Sequence, residues 1–294
     1  VKSKDKKIAV LMILPAIIML ILFFAYPLIK LLYDSFFSID LFDPLSGSFV
    51  GLENYLSLIQ SERFLNVILN TFKFVFIAVG LEFILGFIMA LLFNRKFKTH
   101  QFWRTLLLSP LMLAPVVSSL IWKFMLSNDF GLINWVFYSL GLIQNPNSIA
   151  WLSNPRLALL SCAIAEIWLS TPFMALMLLA GLQGIPKSLY ESAKVDGANS
   201  LKRFVFITLP VIKPVAVTAI LIKTIDVARS FDIIWNLTQG GPHFSSEVLS
   251  TYVYKMLMRY GDIGNSSAIS VIFTILLFLI SSIFIFKIWN RNEN

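Results

Sequence analysis

The sequence predicts an all-α, polytopic membrane protein with about six transmembrane helices. Three observations lead there. Apolar residues make up 57% of the 294 positions and charged residues only 14%, whereas soluble domains are roughly half apolar and about a quarter charged. The apolar residues are gathered into long runs, not spread through the chain. The basic residues collect in alternate stretches between those runs.

Ile8–Leu32 holds one charge, Lys30, near its far end. Lys2, Lys4, Lys6 and Lys7 precede it, as in a secretory signal. A signal's apolar region spans only ~7–15 residues before a small-residue cleavage site. This run is longer and continues through Tyr26 and Pro27, so a retained first helix is expected. Val67–Phe93 carries only Lys73 and Glu82, and Thr105–Leu126 only Lys123. Leu157–Leu182 carries only Glu166, and Ala268–Trp289 only Lys287. Each run exceeds the ~20 residues a helix needs to cross the hydrocarbon. Leu209–Ile225 is the weakest candidate, interrupted by Pro210, Lys213, Pro214 and Lys223. Lys73 and Lys223 lie near span ends, where long side chains snorkel to the interface.

Six spans with both ends on one side divide the basic residues unevenly. Stretches 1–7, 94–104, 183–213 and 287–294 hold fifteen, and stretches 33–66, 127–156 and 226–266 hold five. Positive charge marks the cytoplasmic side, so both termini are expected there. The net charge of +8 therefore implies no nucleic acid, which would need a contiguous basic face.

The remaining inventory excludes several chemistries. Cys162 is the only cysteine, so neither a disulfide nor a thiol–metal framework is possible. His100 and His243 fall on opposite sides of the membrane. No phosphate-cradling loop, nucleophile elbow or zinc-protease motif occurs, so an ATP-driven process needs an ATPase on another polypeptide. Between spans, Phe49–Tyr55 reads as a turn into a short amphipathic segment. Leu132–Ile143 is too short to span and fits an interfacial helix, ended by the turn signal Asn145-Pro146-Asn147.

The loop after the fourth span is the most informative segment. Pro186 suits a first helical position, Gly197 can end one helix, and Asn199 or Ser200 can cap the next. Two short helices with a bend between them are expected on the cytoplasmic surface. Within this loop, Tyr190-Glu191-Ser192-Ala193-Lys194-Val195-Asp196-Gly197-Ala198, followed by Phe204 and Ile207-Thr208-Leu209-Pro210, resembles the EAA loop of ABC-importer permease subunits. Ser192 stands where alanine is usual.

Further motifs resemble the carbohydrate-uptake permeases, the group containing the maltose permease. They are Phe49–Tyr55, Asn70-Thr71, Trp103-Arg104 with Pro110, and Trp151-Leu152 with Pro155. Trp168, Pro172-Phe173, the Gly181–Pro186 lead-in, Phe231-Asp232 and Thr238-Gln239-Gly240-Gly241-Pro242 complete the set. The Lys-rich start and the Phe49–Tyr55 segment are closer to the first member of a permease pair.

The resemblance implies a single transmembrane permease domain over 1–294 with the type I ABC-importer permease fold. Its coupling loop, at about 183–210, would carry Tyr190, Glu191, Ser192, Ala193, Asp196 and Gly197 against a cytoplasmic ATPase. It also implies a bacterial cell (inner) membrane, a second, homologous permease subunit and two ATPase subunits holding ATP and Mg. An extracytoplasmic binding protein would deliver a sugar or oligosaccharide. The chain itself is then a transport subunit, not an enzyme, and carries no cofactor.

Polar groups inside spans are costly and functional by default. Glu82, Lys123 and Glu166 are candidates either to line a pathway or to pack helices together. Asp226, Arg229, Asp232, Trp235 and Asn236 cluster downstream and supply the hydrogen-bonding and aromatic groups that sugars use. On helical spacing an Asp226–Arg229 structural pair is the alternative. An ion-coupled secondary transporter could also place Glu82 and Glu166 at membrane depth, but has no need of the Tyr190–Pro210 loop. Similar permeases handle glycerol phosphate and polyols.

Overall fold

The computed structural model describes residues 3–43, 47–95 and 100–289. Lys2, Lys96, Lys98 and Arg291, all counted on the basic side above, lie outside them. Among the described residues, five helical stretches are long and apolar enough to cross a bilayer: Val10–Asp34, Glu62–Phe93, Ala158–Gln183, Ser200–Ala228 and Ile263–Phe286. A sharply bent pair, Gln101–Met112 with Pro115–Met125, is the sixth candidate. Helix is the expected form, because hydrocarbon offers no partner to an unpaired backbone N–H or C=O.

The chain divides into two compact units. The first comprises residues 1–64 and 252–276. It begins with α1 (Ser3–Leu20), which passes through a π turn at Ile21–Ala25 into α2 (Tyr26–Asp34). Strands β1 (Phe37–Ser38) and β2 (Ser48–Phe49) pair antiparallel, with Phe37 opposite Phe49. α3 (Glu53–Gln60) follows, so the Phe49–Tyr55 segment is the expected turn, and the short amphipathic segment it leads into is a helix. Asn54 fastens it: its Nδ2 donates to the carbonyls of Ser35 and Phe37 at 2.9 and 3.0 Å.

The second unit comprises residues 65–251 and 277–294. Its elements are α4 (Glu62–Phe93, entering from the first unit), α5 (His100–Leu108), α6 (Pro115–Met125), α7 (Leu132–Ser139) and α8 (Ala158–Gln183). Then come α9 (Lys187–Val195), α10 (Ser200–Arg203), α11 (Leu209–Ala228) and α12 (Asp232–Thr238). α13 (Leu249–Met258) and α14 (Ile263–Trp289) divide between the units. α8 is the enclosed helix: 72% of its most apolar window is buried, against 28% or less for the other four long stretches. α11 packs along α8, and α12 packs against both α6 and α8.

Two expectations about the spans change. The doubtful run around Leu209–Ile225 is a continuous helix from Ser200 to Ala228, with a π turn at Phe204–Thr208 widening it just before Pro210. Thr105–Leu126, expected as one span, is broken instead. A 3-10 turn at Ser109–Met112 is followed by extended backbone at Leu113 and Ala114, and the two halves bend by 101°. Pro115 is the cause: a proline forces its predecessor out of the helical region and suits only the first residue of a new helix. α7 is the short helix expected over Leu132–Ile143, but it ends at Ser139. Asn145 makes its turn, accepting from the Asn147 amide at 2.9 Å.

Helices approach closely where side chains are small. A Cβ built on Gly86 of α4 would fall 2.8 Å from Met174 Cγ and 3.0 Å from the Ala175 nitrogen on α8. We expect Gly86→Ala to cost about 1 to 3 kcal/mol by overpacking, lowering the thermal midpoint of the detergent-solubilised protein. Gly80→Ala on the same helix, where nothing lies within 4 Å, is the control and should leave the midpoint unchanged or raise it.

Candidate functional site

Two groups of residues stand out in the second unit, one in the loop after α8 and one along α4, α8 and α11. The loop folds as its sequence demands. Pro186 sits just before α9, one position earlier than expected. Helix α9 closes in a Schellman arrangement: the Ala198 amide donates to the Ala193 carbonyl at 2.8 Å and the Gly197 amide to Lys194 at 3.1 Å. Gly197 makes this possible with φ of +77°, which a side chain would resist. Asn199 then caps α10, accepting from the Lys202 amide at 2.8 Å. The second short helix is not separate, as expected, but runs directly into α11.

Within this loop Glu191, Ser192, Asp196 and Gly197 are exposed, and Ala193 is half-buried. Val195 and Leu201 are apolar yet 89% and 69% exposed. Tyr190 faces inward and packs on the core. Its hydroxyl lies 2.9 Å from Thr208 Oγ1, which joins α9 to the start of the α11 helix.

The second group is buried. Lys223 of α11, placed near a span end and expected to snorkel, is instead 4% exposed. Its Nζ donates to Ser170 Oγ at 2.9 Å and lies 3.9 Å from Glu82 Oε2 and 3.8 Å from Asp226 Oδ2. The Phe173 ring is 5.9 Å away. Ser170 in turn donates to Glu166 Oε1, and Ser230 donates to Glu166 Oε2, both at 2.9 Å. Glu82 is fully buried, and neither of its carboxylate oxygens accepts a hydrogen bond. Glu82, Glu166 and Asp226 thus meet through Lys223 and two serines, and the serines are what span hydropathy did not single out. Lys73 is exposed, as expected of a snorkelling residue.

The remaining candidates gather on α6 and α12. Lys123 Nζ donates to the Asn236 carbonyl at 2.9 Å, and Asn236 Nδ2 donates to the Asp232 carbonyl at 2.8 Å. Trp235 stacks on Phe231 with ring centres 5.5 Å apart. Lys123 also borders a cavity of about 420 Å³ with Phe124, Ser127, Asn128, Trp151 and Ser153. A larger apolar cavity, about 740 Å³, opens beside the break between α5 and α6 and includes Leu85, Trp122 and Trp168. Arg229 is exposed, and Asp226, also exposed, reaches Lys223 at the edge of the buried group. Among the described residues no group of His, Cys, Asp and Glu is arranged to hold a metal ion.

Residues 63–292 match the family of binding-protein-dependent transport system inner membrane components. The chain belongs to that family. It is an inner-membrane permease subunit of an ABC importer, a transport component whose ATP hydrolysis is carried by separate subunits. The permease is 38% identical over 276 residues to the trehalose/maltose transport system permease protein of Thermococcus litoralis, covering 94% of this chain and 92% of that one. It is 36% identical over 281 residues to the sulfoquinovosyl glycerol transport system permease protein of Agrobacterium fabrum, covering 96% and 90%. A solved bacterial ABC transporter that imports the acidic polysaccharide alginate shares the permease's fold. Its TM-score is 0.83 at 23% identity, over 98% of this chain and 96% of that one.

Asn199→Ala removes the side-chain cap of α10, worth roughly 1 kcal/mol. We expect hydrogen exchange at the Lys202 amide to quicken by about five-fold, with exchange in mid-α8 unchanged.

Proposed function

We propose that this permease forms half of a pathway by which a sugar or oligosaccharide, delivered by an extracytoplasmic binding protein, crosses the membrane. The 183–210 loop is the ATPase docking element. The reading rests on one observation: α9 is a helix closed by its own backbone hydrogen bonds, with Glu191, Asp196 and Val195 exposed, and it is bonded through Tyr190 to a helix long and apolar enough to cross the membrane. An isolated surface loop would need neither that closure nor that continuity. The saccharide class is supported by the two relatives, which are named for the transport of trehalose/maltose and of sulfoquinovosyl glycerol.

In this reading a second, homologous permease supplies the other half of the pathway, and two ATPase subunits bind ATP and Mg below the coupling loops. Nucleotide-driven closure of the ATPases displaces α9 and switches the pathway from inward- to outward-open. Lys123, Asp226, Arg229, Asp232, Trp235 and Asn236 are the pathway candidates, pairing polar groups with an aromatic face as sugar binding requires. Both termini lie in the cytoplasm, on the more basic side.

Orientation is tested by labelling right-side-out vesicles with a membrane-impermeant maleimide. The single native cysteine, Cys162, is fully buried and should give little background. Ser48→Cys should label in intact vesicles and Lys194→Cys only after permeabilisation; the reverse order sinks the assignment. Function is tested by reconstituting the permease with its partners and a binding protein offered maltose, trehalose or other saccharides. We expect one of these to raise ATP hydrolysis several-fold, and Gly197→Val, which strains the left-handed turn, to abolish that rise. Stimulation by amino acids or inorganic anions alone would count against the sugar reading.

A further inference from the structure

We propose that Lys223 is a positioning residue for coupled transport: it latches the helix driven by the coupling loop to α4 and α8 in this resting arrangement. The proposal rests on reading 183–210 as that loop. The helix Ser200–Ala228 is unbroken, so a push at its cytoplasmic end is carried about 35 Å along the axis to Lys223 at ~1.5 Å per residue. Tyr190, bonded to Thr208, makes α9 move with it.

What that far end must leave is specific. Lys223 reaches Ser170 on α8 at 2.9 Å and Glu82 on α4 at 3.9 Å. Glu82 is fully buried with no hydrogen bond to either oxygen, so this one ammonium is its compensation. On the α8 side the chain continues through Ser170 to Glu166, then to Ser230 just beyond α11. The connection is therefore satisfied in one register of α11 against its two neighbours. The acidic groups facing Lys223 are Glu82, Glu166 through Ser170, and Asp226. Asp226 lies on the same helix three residues away, and its side chain is 60% exposed. It travels with the lysine and keeps the ammonium compensated when Glu82 and Ser170 are left behind.

Stability alone is a poor reason for such a pair. A buried ion pair replaced by apolar groups of similar volume is often no less stable, and its best-attested use is to fix a register or a switch. A device that holds the resting arrangement shifts the balance of states when it is removed.

The test uses the whole reconstituted transporter, hydrolysing ATP with neither binding protein nor sugar present. The paired variant Glu82→Gln/Lys223→Met leaves no stranded charge between α4 and α11. It should assemble and raise this basal rate by about five-fold or more, while Lys223→Arg, which keeps the cation, should remain near the unmodified rate. An unchanged basal rate in the paired variant overturns the latch. So does failure of the paired variant to assemble, which would make the network a folding requirement. Gly197→Val is run alongside and should lower the basal rate. If it does so while the paired variant changes nothing, the latch falls and the coupling loop stands. If Gly197→Val also changes nothing, the coupling reading falls and the latch with it.

Discussion

Between helices in a bilayer there is little hydrophobic drive, because lipid tails are as apolar as leucine. Association depends on close backbone approach and on polar contacts. α8 is where this constraint is met. Its sequence alternates bulky residues with Ala158, Ser161, Cys162, Ala163, Ala165, Ser170, Thr171 and Ala175, all buried. Small side chains let α4 approach at Gly86 and α11 approach at Gly181, where a Cβ would lie 3.0 Å from Val215. Polar ones supply the rest: Ser170 and Glu166 hold Lys223 and Ser230, and Ser161 donates to the Trp151 carbonyl. The other long helices carry much of their leucine and phenylalanine outward, as lipid-facing surfaces require.

An enclosed central helix explains why the functional groups sit where they do. The loop after α8 leaves it at Gln183 and returns as α11, packed along α8. Helix α11 presents Lys223 to α8, where it donates to Ser170. α12, with Trp235 and Asn236, follows after a short link and packs on both α8 and the second half of the broken span. Lys223, Asp226 and Ser230 of the buried network, and Trp235 and Asn236 beyond them, follow the 183–210 loop along one stretch of chain, while Glu82, Glu166 and Ser170 meet them from α4 and α8.

Hydropathy made the spans legible because run length and charge content are local properties. What it misjudged was backbone continuity. Leu209–Ile225 looked doubtful for its prolines and lysines, yet Pro210 is accommodated by a π turn and Lys223 finds partners inside the protein. Thr105–Leu126 looked sound on apolarity alone, yet Pro115 breaks it, with extended backbone at Ala114. The backbone of the loop after α8 was legible in detail because glycine at a left-handed turn and asparagine at a helix start act through their own neighbours. The buried network was legible only in part. Glu82 and Glu166 stood out as charges at membrane depth, but Ser170 and Ser230 gave no signal, and Lys223 seemed close enough to an end to reach water.

The scattered motifs that resemble carbohydrate permeases prove to be largely fasteners. Asn70 Nδ2 donates to the carbonyls of Phe244 and Glu247, and Thr71 Oγ1 accepts from the Leu249 amide. Thr238 shares a hydrogen bond with Ser246 and accepts from the Gly240 amide, closing the Gly-Gly-Pro turn onto itself. Trp151 donates to Asn134, and Trp168 meets Trp122 edge to face. Residues spent on internal hydrogen bonds cannot also discriminate between solutes, so a fingerprint built from them identifies the scaffold and is silent about the cargo. On this account, relatives that share the scaffold can differ in the solute they carry.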